Sequence, residues 1–294
     1  MTPADNPIEL TDLVKRYRDR MVLKGVDLAV PRGAVVGLLG KNGEGKTTLL
    51  KCALGIARPD LGTARVFGRP AWGLADAEKN RLGYVPQVPA LYPWMRVGQM
   101  IAYAASFYDR WNAVLVRDLL SDWDLSERDK VGTLSVGSLQ KLAIVLAMGH
   151  EPELLVLDEP AASLDPAARR EFLARILEIP AAGGRTVLFS THITSDLERV
   201  ADRVAILRGG KVVYDGELDA LKESVKRLHV RSPRLLSGNF NVPGAMRVRV
   251  EGNEALVSVK GRPDDVVDEI RRAYDADVRV EDLNLEDIFL EMHP

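Results

Sequence analysis

With 294 residues, 46% of them hydrophobic and 28% charged, the chain has the composition of a globule with length for one large domain, or one large and one small. A formal charge of −2, from 40 basic and 42 acidic side chains, excludes an overall field for holding nucleic acid or anionic lipid, and no run approaches the ~20 apolar residues of a membrane-spanning helix. A single cysteine, Cys52, excludes an internal disulfide, and the opening MTPADNPIEL has neither the basic nor the apolar part of a secretion signal, so the cytoplasm is the expected location.

In chain order, IELTDLVKRY and MVLKGVDLAV flank the polar RDR and read as paired antiparallel strands. PRGAVVGLLG reads as a buried strand running into a glycine-rich loop, and GKTTLLKCALG as a helix that stops at Gly55. Further apolar strands are expected at TARVFG, RLGYVP, ELLVLD and RTVLFST. Their alternation with helical segments predicts an α/β fold whose mostly parallel sheet is covered on both faces. Residues 91–150 have helical periodicity and few strand signals, the pattern of a helical subdomain inserted between two strands. After RVAILRGGKVVYDG, a hairpin turning at Gly209 and Gly210, the pattern changes near residue 220. KRLHVR, AMRVRVEG and NEALVSVKG read as strands, PDDVVDEIRRAY as a helix, ADVRVEDL as a strand and NLEDIFLEM as a closing helix capped by Asn284. The expected division is therefore residues 1–217 and a small α+β domain over residues 218–294.

The loop GKNGEGKTT, Gly40 to Thr48, matches GxxxxGK(S/T), the phosphate-loop (P-loop) pattern. Its glycines let backbone N–H groups converge on phosphate oxygens, Lys46 reaches the β and γ phosphates, and the Thr47 hydroxyl suits Mg²⁺. ELLVLDEP delivers Asp158 and Glu159 at the C-terminal end of an apolar strand, where open α/β sheets bind ligands. Behind a phosphate loop, Asp158 suits the metal and Glu159 the orientation or deprotonation of an attacking water. A simple acidic strand end is the alternative.

In this motif order, residues 8 to 217 resemble the ATP-binding cassette (ABC) ATPase family. The resemblance implies a P-loop cassette with N-terminal antiparallel strands, and ATP with Mg²⁺ as its cofactors. It implies that Gly40, Asn42, Gly43, Gly45, Lys46, Thr47 and Thr48 hold the nucleotide, with Tyr17 stacking on adenine. Gln87 in YVPQ resembles the glutamine that joins metal and water to the helical subdomain, so the implied metal set is Thr47, Gln87 and Asp158. Glu159, His192, Gln87 and Lys46 are the implied catalytic residues. SLD, Ser163 to Asp165, is similar to the loop that crosses to the partner subunit.

The signature of this family, LSGGQ, has its counterpart in LSVGS. In the family this loop faces the nucleotide of the other subunit, so Ser135 and Gly137 supply the hydroxyl and the close backbone approach. Val136 replaces a glycine and is harmless unless that position is left-handed; Ser138 replaces a glutamine with a shorter donor. A working loop and a degenerate one that binds ATP but turns it over poorly are both open. The similarity is greatest to bacterial exporter ATPases with an LSxGxxxK pattern, which Lys141 completes. It implies an ATP-hydrolysing transport subunit, dimeric with itself or a related ATPase, held at the inner face of the membrane by a separate permease. The aromatic stretch VPALYPWMRVGQM is where such ATPases meet their permease, or else it is core. Residues 218–294 look like the accessory segment of these exporters, either dimer-stabilising, structural or ligand-sensing. A regulatory subunit with little turnover and a soluble, non-transport ABC ATPase are the alternative functions. The single unsplit cassette and the absence of heptads and of net basic charge speak against ribosome or DNA partners.

Overall fold

A computed structural model describes residues 6–162, 164, 169–170, 172–174, 184–236, 240–261 and 263–292. The chain divides into two compact units, Met1–Asp215 and Gly216–Pro294.

In the first unit, β1 (Ile8–Tyr17) and β2 (Arg20–Val30) pair antiparallel. The alternation of β1 breaks at Asp12, whose φ of 46° forms a bulge that turns both Leu10 and Leu13 into the core. β3 (Val35–Leu39) is buried at every position, as a strand covered on both faces must be. The helix α1 (Lys46–Ala53) follows, and Gly55 leaves it with φ 69°. β4 (Leu61–Val66) then adds to β1, antiparallel, with the short β5 (Arg69–Pro70) at its edge. TARVFG thus joins the antiparallel sheet, not the parallel one. Its exposed residues Thr63 and Arg65 suit a sheet with one wet face.

After α2 (Asp76–Lys79) comes β6 (Leu82–Val85), then α3 (Val97–Ala105), α4 (Ala113–Asp122), a 3₁₀ turn (Val131–Thr133) and α5 (Val136–Met148). The periodicity of α5 suggests one buried face, but Leu142–Met148 is buried all round, because α3, α4 and β6 surround it. Tyr92 and Trp94 lie outside the core. Trp94 is 70% exposed and packs on Tyr92, which meets Tyr103, which in turn meets the exposed Phe107. β7 (Leu154–Asp158), β8 (Thr186–Thr191), α6 (Thr194–Val200), β9 (Arg203–Arg208) and β10 (Lys211–Glu217) complete the unit. The sheet order is β10-β9-β3-β8-β7-β6, with β9, β3, β8, β7 and β6 parallel. A Cβ on Gly37, inside β3, would fall 1.7 Å from Leu197 of α6, so glycine there lets helix and sheet close.

The second unit contains α7 (Leu218–Ser224), β11 (Val225–Arg231), β12 (Ala245–Glu251), β13 (Glu254–Lys260), α8 (Pro263–Tyr274), β14 (Asp277–Asp282) and α9 (Leu285–Glu291). Its antiparallel sheet runs β12-β13-β11-β14. One face carries Leu228, Val230, Val257 and Val278 against Val267 and Ile270 of α8. Each such side chain contributes roughly 1.5–3 kcal/mol on burial. Asn284 caps α9 by accepting from the Asp287 N–H at 2.8 Å.

Candidate nucleotide-binding site

The loop Gly40 to Thr48 joins β3 to α1. Gly43 and Gly45 have φ of 84° and 106°, and a Cβ on Gly45 would lie 2.9 Å from Val22 Cγ1, so the loop needs glycine in both dihedral and space. Arg20 donates to Gly43 O at 3.2 Å, the Glu44 carboxylate accepts from Gly209 N–H, and Gly40 N–H donates to Thr191 O at 3.3 Å. The loop is thereby tied to the β1–β2 hairpin, the β9–β10 turn and the end of β8. Lys46 is 6% exposed and donates to Gly40 O at 2.7 Å and Lys41 O at 3.3 Å. Thr47 and Thr48 are half-buried in the first turn of α1, and Asn42 is exposed.

Parallel register sets Asp158 of β7 beside Ser190 of β8, and Leu39 of β3 beside Thr191. The C-terminal ends of three neighbouring strands therefore meet at the loop. Asp158 is fully buried. Its Oδ1 accepts from Ser190 Oγ at 2.7 Å, and Ser190 Oγ accepts from Glu159 N–H at 2.9 Å. Asp158 Oδ2 has no hydrogen-bond partner among the described residues. Glu159 adopts φ 48°, a left-handed conformation that costs a non-glycine residue about 1–3 kcal/mol. That turn aims its carboxylate inward: Oε1 lies 2.8 Å from Lys46 Nζ, an ion pair without hydrogen-bond alignment, and Oε2 lies 2.9 Å from His192 Nδ1. His192 stands just past β8, 37% exposed. Half-buried on the next strand, Tyr84 has its phenol pushed up to about 12, first by desolvation and then by the Asp158 charge. Burial also raises the Asp196 carboxyl, against Arg169 and Arg199.

Similarity to known proteins accords with this geometry. A family model described as "ABC transporter" matches residues 23–162. The chain is 37% identical over 223 residues to the Nod factor export ATP-binding protein I of Burkholderia orbicola (strain AU 1054), covering 74% of this chain and 73% of that one. It is 32% identical over 296 residues to the protein of the same name in Burkholderia pseudomallei (strain K96243), covering 97% and 96%.

The chain belongs to the ABC transporter ATP-binding family.

A solved ATP-binding subunit of an ABC transporter superimposes with a TM-score of 0.68 at 32% identity, over 74% of this chain and 92% of that one. The first unit is accordingly a P-loop ABC ATPase cassette, a transporter subunit that binds and hydrolyses ATP. Within the cassette, Gln87 lies exposed two residues beyond β6, whose last residue pairs with Leu157. Tyr17 ends β1, 48% exposed, with Lys15 Nζ 5.4 Å from its ring centre. Ser135 is the N-cap of α5: its Oγ accepts from Ser138 N–H at 3.1 Å and lies 2.9 Å from Ser138 Oγ. Val136 is the first residue of that helix, 63% exposed and not left-handed, so its branched side chain fits the backbone. A Cβ on Gly137 would lie 3.1 Å from Leu164. The hydrogen bonds of Ser135 stay within its own helix, away from the Lys46–Glu159 cluster. Ser163 and Asp165 lie outside the described residues.

Ser190, Arg20 and Glu44 also serve the site but carry no motif of their own in the sequence. Ser190 holds both members of the acidic pair, and its one signal is being a hydroxyl in the apolar run VLFS. Arg20 and Glu44 pin the phosphate loop through contacts distant in sequence, which leave no local pattern.

Proposed function

We propose that this chain energises a separate membrane permease for export, as two copies closed around two ATP molecules. The observation that carries this reading is the convergence of the buried Lys46, Asp158 and Glu159 with the more exposed His192 at the end of β3, β7 and β8. Lys46 and the α1 backbone bind the phosphates, aided by Gly40, Asn42, Gly43, Gly45, Thr47 and Thr48, while Tyr17 stacks on the base. A phosphate oxygen competes with Glu159 for the Lys46 ammonium, which is 2.8 Å from that carboxylate. Once released, Glu159 accepts a proton from the attacking water, and His192 holds the base through Nδ1 and faces the γ-phosphate. Ser135 and Gly137 of the opposite copy, with Asp165, complete the site, as the exposed helix N-terminus suits a shared anion.

The donor set fits Mg²⁺. Asp158 Oδ2 is a buried oxygen without a hydrogen-bond partner among the described residues, and the Thr47 hydroxyl and Gln87 amide add hard donors. When bound, the ion neutralises charge on the phosphates.

A permease as partner is supported by the transporter family to which the chain belongs and by the exposed aromatics Tyr92, Trp94, Tyr103 and Phe107, which offer a docking patch. The Burkholderia relatives are named as export ATP-binding proteins, which supports export as the direction. In this reading residues 1–217 are the motor, at the inner face of the membrane, and residues 218–294 an accessory domain. ATPase activity measured against protein concentration, with Glu159→Gln as the blank, tests it. Activity should rise more steeply than linearly and fall by about 10²–10⁴ in the variant. A strictly linear dependence would remove the shared site, and unchanged turnover in Glu159→Gln would remove the base.

A further inference from the structure

The sheet of the second unit has α8 on one face, but α9 covers only one end of the other. There Arg227 reaches Asp287 at 3.3 Å and Glu291 at 3.0 Å, and Ser258 beneath them is buried. Beyond that end the face opens into a depression of about 1070 Å³. Strand register arranges its outward side chains in two rows across β12, β13, β11 and β14. The first is Arg249, Leu256, His229, Arg279; the second is Glu251, Glu254, Arg231, Asp277. The inner charges are compensated within the chain: His229 lies 2.8 Å from Glu281, and Arg231 lies 3.5 Å from Glu254. The four outer residues, Arg249, Arg279, Glu251 and Asp277, are exposed and make no ion pair among the described residues.

We propose that this face is a contact between two copies of the chain, paired about a two-fold axis that runs parallel to the rows and midway between them. That rotation sets Arg249 against the partner's Glu251 and Arg279 against the partner's Asp277, and each pair occurs twice, because a two-fold contact is self-complementary. The rows are two residues apart, roughly 7 Å, and packed sheets stand about 10 Å apart, a gap that arginine and a carboxylate span together. An axis along the strands would oppose Arg249 to the partner's Arg279 and Glu251 to the partner's Asp277, so the four outer charges, which have no ion pair among the described residues, select the first pairing. A purely acidic or purely basic ligand would meet like charge on one of the two rows.

This contact is independent of the ATP-bound dimer proposed above, and the test separates them. Sedimentation equilibrium is run on the full chain carrying Lys46→Ala, without nucleotide, at low and high salt. The parent should dimerise at low salt and weaken at high salt. Arg249→Glu/Arg279→Glu and Glu251→Arg/Asp277→Arg should each weaken association at least tenfold. An equal mixture of the two should restore it, since all four pairs re-form in the mixed dimer, a rescue that misfolded chains could not give. A monomeric parent, reversals without effect, or a mixture no tighter than its components would each overturn the proposal.

Discussion

In the six-stranded sheet the ionisable side chains that matter gather at one edge and are buried: Lys46, Asp158 and Glu159 are each no more than 6% exposed. In the four-stranded sheet of the second unit the charges of Arg249, Arg279, Glu251 and Asp277 spread over a face in water. The backbone explains the difference. Parallel strands covered on both faces release their side chains only at the ends, whereas an antiparallel sheet can leave one face wet. Coulomb interactions are several-fold stronger where water is excluded, so the first arrangement suits chemistry on a phosphate and the second suits alignment of surfaces.

The strongest way to break this comparison is Lys46→Ala. Calorimetry should show ATP affinity at least about a hundredfold lower, roughly 2.7 kcal/mol. Near-normal binding would mean that the buried edge is not the phosphate site. A smaller effect is expected at Val136→Gly. Val136 sits in helical conformation at the start of α5, so turnover should change by less than about tenfold; a gain of a hundredfold would show that the natural loop is impaired. The smallest effect belongs to the open face. Arg279→Ala should alter stability by no more than ~0.5 kcal/mol, a shift in Tm of about 2 °C or less for a protein of this size. A larger fall would make the row part of the fold.

Much of the cassette is legible in the sequence because its decisive features are local. The phosphate loop, the strand before it and the helix after it form one continuous segment, and LLVLD announces a buried strand with its acid at the end. The Asn284 cap and the Gly209–Gly210 turn are likewise neighbours in sequence. What escapes is set by contacts across the fold. Nothing in TARVFG says that its partner is β1, and nothing in the α5 sequence says that α3, α4 and β6 enclose it. Ser190 acquires its role from the register of β7 on β8, which brings it to Asp158. Tyr92 and Trp94 read equally well as core or surface until the ring stack with Tyr103 and Phe107 is seen to lie in solvent.

The enclosure of α5 also determines how this region responds to force. The helix is roughly 20 Å long. Just beyond its C-terminal end His150 bonds Leu82 O at 3.1 Å and stacks on Tyr108 at 3.9 Å between ring centres, while Trp111 closes over Gly149. A Cβ on Gly83 would meet Ala147 O at 2.6 Å, so strand and helix are in backbone contact as well. Over Leu142–Met148 the helix has no free side along which to slip, whereas its first turn is open, with Val136 63% exposed. The strand leading to Gln87 packs against the helix's C-terminal half and Ser135 caps its other end, and close-packed interiors transmit strain instead of absorbing it. Movement at β6 is therefore carried into the packed half of α5.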